Sequence, residues 1–239
     1  MEGLVCVDLA ADDLAAVLSR LNKYTLIISI LLFVLVTVAG YKFSEVLADR
    51  TELYSGSVNS LVDSINAKDS YTRKHSLNVA RYATLLAKEL KLSSKDVRSV
   101  NILARLHDIG KIGVRDDVLN KPSSLNQEEL NIIRMHPVIG SQILDNIKRM
   151  RKHLAIIRNH HERFDGKGYP DGLKGEEIPL VARILSVADS FDAMTTTRPY
   201  RPAMSHREAI LELEKNMGTQ FDPLVVEAFQ RIYSKGKVM

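Results

Sequence analysis

The feature that most constrains this chain is an uncharged stretch of 18 residues, 24–41. As an α-helix it would rise roughly 27 Å, close to the thickness of a membrane's hydrocarbon core. Tyrosines stand at both ends, and Lys23 and Lys42 flank them, where such side chains reach lipid headgroups. A buried core helix of this length would keep a polar stripe. We therefore predict one transmembrane helix, preceded by an N-terminal segment, residues 1–23.

A cleaved signal peptide is the alternative, because Thr37 and Ala39 are small residues placed as a cleavage site requires. The leader before the stretch is long and acidic, however, whereas signal peptides begin with a short basic region. Basic residues near the two ends of the stretch are equal in number, so charge does not set its orientation. Residues 42–55 are predicted to form a connecting helix, which either begins the core or pairs with a second copy in a homodimer.

Residues 56–235 are predicted to form one all-α domain. Apolar residues recur at the helical period in successive segments, and no convincing alternating run predicts a strand. Two capping boxes, Asn126 with Glu129 and Ser205 with Glu208, mark helix starts, and Ser93 or Ser94 is a possible N-cap for a helix over 95–107. Further helices are predicted from Pro137 to near Met150 and over 151–161, and Val58, Val62 and Ile65 continue the helical stripe of the segment before them. The predicted fold class is therefore an all-α helical bundle that follows one transmembrane helix and a connecting helix.

The composition excludes some partners. A formal net charge of +4 and a pI near 9.1 fit an anionic substrate or a membrane surface. The chain lacks a Lys/Arg block with interleaved aromatics, which argues against binding a nucleic-acid polymer. Cys6 is the single cysteine, so no intrachain disulfide can form, and the reducing cytosol is the expected compartment for the domain.

Histidines and aspartates gather at or near predicted helix ends, several of them beside glycines that let the backbone approach a ligand. The candidate metal ligands are His75, His107, Asp108, His136, His160, His161 and Asp189. Each alone could be a hydrogen-bonded core residue, but the set together would require several coincidences. Imidazole and carboxylate without thiolate suit a hydrolytic site for iron, manganese or zinc, and disfavour a structural zinc site.

Asp108 is predicted to bridge two cations through its two oxygens. Two metals about 3.5–4 Å apart would bind a phosphodiester and acidify a water between them. Lys111 follows one turn later, and the guanidinium groups of Arg198 and Arg201 suit phosphate oxygens or a guanine edge. A solvated loop is the alternative for these arginines. Glu162 is expected to orient an imidazole rather than to bind metal.

Four motifs in order carry a family resemblance: RLHDIGKIGV, MHPVIGSQIL, HHERFDGKGYPDGLKGEEIPLVARILSVADSFDAM and RPYR. From about Gly56 to Ile232 the chain resembles the HD-GYP family, a branch of the HD superfamily of metal-dependent phosphohydrolases. The resemblance is specific, because several separated motifs recur with the expected spacing.

The resemblance implies an HD-type helical fold and a binuclear or trinuclear metal centre whose ligands are the seven residues above. It implies hydrolysis of cyclic di-GMP, a bacterial second messenger, to linear pGpG and onward to GMP. Asp108 and Lys111 would be catalytic. The residues at the nucleotide would be Asp69, Lys111, Tyr169, Asp192, Arg198 and Arg201. The loop of Gly168, Tyr169 and Pro170 would also bind protein partners.

The chain departs from the family pattern at Arg115 and Ser123, where relatives usually have proline and glycine, which affects the loop after the His-Asp pair. Tyr71 stands where some relatives have a glutamate that binds a third metal. Since a phenol is a poor anionic ligand at neutral pH, we predict two divalent ions, iron or manganese.

The expected function is therefore a membrane-anchored cyclic di-GMP phosphodiesterase. It would cross the inner (cytoplasmic) membrane once, with its catalytic domain in the cytoplasm, where its substrate is found. Three alternatives remain: a catalytically silent receptor or adaptor, a phosphodiesterase that prefers cyclic GMP-AMP, and an HD hydrolase of mononucleotides. The GYP segment disfavours the last of these.

Overall fold

The computed structural model describes residues 2–68, 72–197 and 202–238, which lie in two compact units, Met1–Gly56 and Ser57–Met239. Among the described residues, secondary structure is helical apart from one isolated bridge between Met217 and Phe221. The all-α fold class is confirmed.

The described chain contains ten α-helices and three 3₁₀ turns. The helices are α1 (Glu2–Lys68), α2 (Thr72–Glu89), α3 (Ser94–Leu106), α4 (Asp116–Leu119), α5 (Gln127–Arg134), α6 (His136–Asp145), α7 (Leu154–Arg158), α8 (Leu180–Thr195), α9 (His206–Lys215) and α10 (Pro223–Ser234). The 3₁₀ turns are Ile109–Gly113, Arg151–His153 and Gly175–Glu177. Both predicted capping boxes are present, at the starts of α5 and α9, and Ser93 caps α3 as expected.

Helix α1 is continuous, so the predicted N-terminal, transmembrane and connecting segments lie on one helix. Large apolar side chains of residues 24–41 are exposed, Phe33 by 73% and Val36 by 68%. The stretch Asp13–Ile65 contains a window of mean hydropathy 2.3, none of it buried. By length and composition this part of α1 is able to cross a membrane.

The core of the second unit lies among α2, α3, α8 and α10. Tyr82, Phe191 and Phe229 are buried there, with ring centroids 5.1 Å apart for Tyr82 and Phe191 and 4.6 Å apart for the two phenylalanines. Aromatic pairs at these distances are stabilising beyond the area that they bury. The cluster fixes α2 against α8, the helices that carry His75 and Asp189.

The last turns of α1 belong to the second unit and bury Val58, Val62 and Ile65, as the helical stripe predicted. Lys68, the last residue of α1, donates from Nζ to the carbonyl of Ile112 at 2.8 Å and to that of Val114 at 2.6 Å. These bonds tie the end of α1 to the 3₁₀ turn that follows Asp108.

Gly110 lets that 3₁₀ turn contact the start of α6 backbone to backbone. A Cβ at Gly110 would lie 1.8 Å from the carbonyl oxygen of His136 and 2.5 Å from the nitrogen of Gly140. No other residue type fits there without a backbone shift. The contact holds Asp108, two residues before Gly110, beside His136.

Three predicted boundaries were wrong. Helix α6 ends at Asp145 rather than near Met150. The helix predicted over 151–161 is a 3₁₀ turn followed by the short α7, because His153 at φ −114° and ψ 0° lies outside the α region. Asp189 is not near a helix end, since α8 continues for six residues beyond it, to Thr195.

Candidate metal centre

Helix ends carry most of the candidate site. His107 and Asp108 follow α3, His136 begins α6, and His160 and His161 follow α7 after Asn159. His75 lies in the first turn of α2, and Asp189 in α8. Apolar residues that end α3 and α7, such as Leu106 and Ile157, are fully buried and draw the following polar residues inward. All seven predicted ligands are described, and the contacts given below link them into one cluster.

The cluster divides into two groups that share one residue. Ligand atoms of Asp108, His136, His160 and His161 lie within 4.8 Å of one another, as do those of His75, His107 and Asp108. Asp108 Oδ1 lies 3.2 Å from Nε2 of His136, and Oδ2 lies 3.4 Å from Nε2 of His107. Each oxygen of Asp108 therefore faces a different group, the geometry that a bridging carboxylate needs.

Three imidazoles are oriented by the backbone three residues earlier. The Nδ1 atoms of His107, His136 and His160 lie 2.7, 2.8 and 2.6 Å from the carbonyl oxygens of residues 104, 133 and 157. A carbonyl only accepts, so Nδ1 donates in each ring, and the neutral form of each ring has its lone pair on Nε2. This arrangement fixes the tautomer that can bind a metal.

His75 is oriented by a carboxylate. Its Nδ1 lies 2.7 Å from Oδ2 of Asp192, while its Nε2 lies 3.2 Å from Oδ1 of Asp189. The other oxygen of Asp192 accepts a hydrogen bond of 2.8 Å from the amide of Asn78. Asp192 is 1% exposed and orients His75 in this structure, while its place close to the nucleotide stays a prediction.

The pKa values of the site residues show which of them are anions and which are neutral bases. Burial alone would raise the pKa of the Asp108 carboxyl, but Lys111 and His107 hold it well below its usual value. Burial and the neighbouring histidines lower the pKa of His160 well below its usual value. For His161, burial and His136 lower the pKa to about 3. Both imidazoles therefore stay neutral at pH 7 and able to bind a metal.

His75 and Asp189 form an ion pair in the metal-free protein. Burial would lower the pKa of His75, but its hydrogen bonds to Asp189 and Asp192 outweigh burial and raise the pKa to about 10. Burial likewise opposes ionisation of Asp189, yet His75 holds the pKa of that carboxyl far below its usual value. Positive charge at this position is thus strongly favoured.

The donor set fits divalent cations. Nε2 of His136 lies 3.4 Å from Nε2 of His160, and in the neutral rings protonated on Nδ1 both atoms carry lone pairs. Two such lone pairs that face each other in a buried site repel unless a metal ion or a proton lies with them. Nitrogen and carboxylate donors without thiolate suit iron, manganese or zinc.

Comparison with known proteins identifies the family. The family model described as "HD domain" matches residues 43–225, more than half of the chain. The chain belongs to the HD domain family. It is 42% identical over 173 residues to the cyclic di-GMP phosphodiesterase response regulator RpfG of Xanthomonas campestris, covering 72% of this chain and 46% of that relative. The predicted resemblance to HD-GYP proteins is confirmed.

Two further HD relatives come from Vibrio cholerae. One is the 3'3'-cGAMP-specific phosphodiesterase 3, 39% identical over 167 residues, with 70% of this chain and 36% of the relative covered. The other is the crystal structure of the cyclic GMP-AMP phosphodiesterase V-cGAP3, with TM-score 0.60 and 20% identity, covering 76% of this chain and 49% of that one. This structural likeness supports the HD-type helical fold. The chain spans less than half the length of the curated relatives described here.

Lys111 of this HD domain lies beside the shared carboxylate. Its Nζ donates to Oδ2 of Asp108 at 2.7 Å, and its side chain is 19% exposed. The ammonium group of Lys111 thus stabilises the ionised carboxylate of Asp108 and also reaches the edge of the site. Both residues named as catalytic are therefore adjacent at the centre of the cluster.

The GYP loop lies against His161, the last of the histidine ligands. A Cβ at Gly168 would lie 2.3 Å from the nitrogen of Arg163, so only glycine permits this approach. Glu162 is buried, and its Oε1 accepts the backbone N–H groups of Asp171 and Gly172 at 2.7 and 2.9 Å. Glu162 therefore anchors the loop, and the prediction that it orients an imidazole is wrong.

The structure brings two unpredicted residues to the HD site. Asn78 supports Asp192 from one turn further along α2 than His75. The guanidinium of Arg134 lies 5.5 Å from the ring centre of Tyr169. For Arg134, the signal available in the sequence was its position two residues before His136. Nothing in the sequence marked Asn78, because asparagine on a helix face has many ordinary roles.

Some predicted residues lie outside the described part of the chain. These are Asp69, Tyr71, Arg198 and Arg201. Of the two departures from the family pattern, Arg115 occupies the N-cap position of α4 and pairs with Asp117 on the surface, and Ser123 lies in the exposed loop before α5. Neither residue is among the ligand groups.

Proposed function

We propose that this HD domain is a metal-dependent phosphodiesterase that opens cyclic di-GMP. The observation that carries the proposal is the pair of ligand groups that share Asp108, in a chain 42% identical to a cyclic di-GMP phosphodiesterase. Water adds to one phosphorus and the bond to the 3′ oxygen breaks, which gives linear pGpG. A second such step gives GMP.

Two divalent ions, iron or manganese, would be held by the seven ligands with Asp108 between them. When bound, they supply Lewis-acid stabilisation of the phosphodiester and a more acidic water. The hydrogen bonds from Nδ1 of His107, His136 and His160 keep Nε2 of each ring aimed at the site, and Lys111 keeps Asp108 ionised. Elemental analysis of protein loaded with Mn(II) and desalted should give two ions per chain, and a value near three would contradict the count based on Tyr71.

Recognition of the nucleotide is assigned to the basic and aromatic residues around the ligands. Lys111 reaches the edge of the site, and Tyr169 is half-buried beside His161. Arg198 and Arg201 would bind phosphate oxygens or a guanine edge, with Asp69 close by. The GYP loop remains a proposed surface for a protein partner.

The test is turnover by the full-length chain in detergent. Protein loaded anaerobically with Fe(II) or Mn(II) should linearise cyclic di-GMP, and chromatography should separate pGpG from GMP. Asp108→Ala should abolish turnover while helicity is retained. Asp145→Ala, an exposed aspartate in α6, is the matched control and should keep full activity.

Two outcomes would change the assignment. Tight nucleotide binding without turnover for either metal would support the silent receptor. Faster turnover of 3'3'-cyclic GMP-AMP would support the second candidate substrate, which the cGAMP-specific relative from Vibrio cholerae favours.

We further propose that α1 anchors the enzyme in the inner membrane, with the HD domain in the cytoplasm. The support is the exposed apolar stretch within Asp13–Ile65. The chain should sediment with membranes and resist carbonate extraction, and a reporter fused after Met239 should behave as cytoplasmic. A periplasmic reporter would refute both the topology and the proposed substrate. Homodimer formation through residues 42–55 stays a prediction.

A further inference from the structure

The five imidazoles of the cluster are not oriented in the same way. The Nδ1 atoms of four of them, His75, His107, His136 and His160, lie within 2.8 Å of an oxygen acceptor. Within residues 2–68, 72–197 and 202–238, the fifth imidazole, that of His161, forms no hydrogen bond. A ligand without an orienting partner loses metal affinity, so His161 needs another support.

Tyr169 supplies a flat surface at the required place. Its ring centre lies 5.0 Å from that of His161, and the two planes are 26° apart, a stacked pair. The backbone N–H of Tyr169 also donates to the carbonyl of His161 at 3.3 Å. Both the ring and the backbone of Tyr169 are therefore aligned on the same ligand.

Arg134 holds the tyrosine ring. Its guanidinium lies 5.5 Å from the ring centre, within the range of a cation–π interaction. Arg134 ends α5, two residues before His136, so its own position is tied to that of another ligand. Burial and the nearby Asp108 raise the pKa of the Tyr169 phenol, which keeps the ring neutral.

We propose that Tyr169, backed by Arg134, is the positioning residue of His161, and that its ring orients this imidazole as hydrogen bonds orient the other four. The proposal rests on the metal-dependent function above. The ring and the hydroxyl of Tyr169 have different roles: the ring positions the ligand, and the hydroxyl is not required for that positioning. Phenylalanine should therefore replace Tyr169 in metal binding, whereas leucine should not.

The experiment measures Mn(II) affinity of the full-length chain in detergent, without nucleotide, from the EPR signal of free Mn(II). Tyr169→Leu should weaken one Mn(II) site about tenfold or more, the usual effect of removing a residue that orients a ligand. Tyr169→Phe should stay within about twofold of the wild type. Arg134→Ala should weaken the same site about twofold to fivefold, as expected for an exposed cation–π contact.

Two further variants calibrate the measurement. His161→Ala defines the complete loss of this ligand. Lys167→Ala changes an exposed side chain in the same loop and should leave Mn(II) affinity unchanged. Far-UV circular dichroism and thermal unfolding of each metal-free variant show whether the fold is kept.

The proposal is overturned if folded Tyr169→Leu binds both ions as tightly as the wild type, or if Tyr169→Phe loses as much affinity as leucine. Should Tyr169→Leu not fold, unchanged Mn(II) affinity in Arg134→Ala would overturn it instead, because Arg134 is exposed and its removal spares the core. Wild-type protein that binds no Mn(II) would refute the metal-dependent function itself, whereas loss of phosphodiesterase activity alone does not enter this test.

Discussion

Gly110→Ala should damage both the stability of the domain and its metal centre, although the substitution adds one methyl group. The added Cβ would lie 1.8 Å from the carbonyl oxygen of His136, whereas an ordinary carbon–oxygen contact is about 3.3 Å. One backbone segment must therefore move by about 1.5 Å. Both backbone segments are rigid. One is the turn in which Gly110 lies between Asp108 and Lys111, and the other is the start of α6.

The expected loss is about 3 kcal/mol or somewhat more. Overpacking a closely packed site costs typically 1–3 kcal/mol, and a clash between two backbones lies at the upper end because no side chain can rotate away. Replacing glycine also lowers the conformational entropy of the unfolded chain, which offsets about 0.4–1 kcal/mol of the loss in folding stability. For a domain of this size, about 3 kcal/mol corresponds to a fall of roughly 6–12 °C in melting temperature.

Thermal unfolding followed by far-UV circular dichroism measures the loss on metal-free protein, and Mn(II) titration measures the site. Affinity should fall because Asp108 Oδ1 and His136 Nε2, now 3.2 Å apart, lie on the two segments that the methyl group separates. Gly113→Ala is the matched control. Its Cβ would lie 3.0 Å from the side chain of Ile139, which can rotate, so its melting temperature should change little.

The reasoning is refuted if Gly110→Ala melts within about 2 °C of the wild type and binds Mn(II) equally well, since a shift of that size corresponds to less than roughly 1 kcal/mol. Equal losses for both glycine variants would also refute it. That result would show that the turn tolerates no side chain anywhere, rather than that one close backbone contact sets the geometry.

Three further predictions concern the site. Asp192→Asn should weaken metal binding at His75 about 10–100-fold in a chelator competition assay, because it removes the charge that orients the ring; unchanged affinity would contradict that role. Arg198→Ala or Arg201→Ala should weaken cyclic di-GMP binding by about 1–3 kcal/mol in calorimetry without loss of metal; loss of metal would mean that this loop supports the ligands. Urea unfolding of metal-free protein should show stability falling on both sides of pH 6.5. As pH drops from 6.5 towards 3, His161 stays neutral in the folded state while the unfolded state gains a proton; as pH rises from 6.5 through about 10, the ion pairs of His75 are lost. His161→Asn should weaken the acid-side fall, and an unchanged profile would contradict the assignment.

The sequence predicted the helical fold and the clustering of the histidines and aspartates well because both leave local marks. Apolar periodicity and capping boxes involve residues that are close together in the sequence, and histidines next to aspartates are rare enough to stand out. Orienting partners leave no such mark. The bond from His75 to Asp192 was not predicted, because the face of α8 that Asp192 occupies depends on packing against α2.

Glu162 shows the same limit. Its place next to two histidines suggested that it orients an imidazole, but its carboxylate points along the loop to the N–H groups of Asp171 and Gly172. The direction of one side chain at a helix end depends on the path of the loop after it. That path is set by Gly168, whose close approach to Arg163 involves backbone atoms alone.

The bonds from His107, His136 and His160 to carbonyls three residues earlier have a consequence for metalloprotein engineering. Each acceptor lies in the last turn of a helix, where carbonyls run short of intrahelical partners. The same bond therefore finishes the helix and aims the metal ligand, without any additional side chain. A designer could reproduce such a ligand by placing histidine just past the final turn of a helix, and several helices that end at one point would then supply a polyhistidine site without a dedicated outer shell.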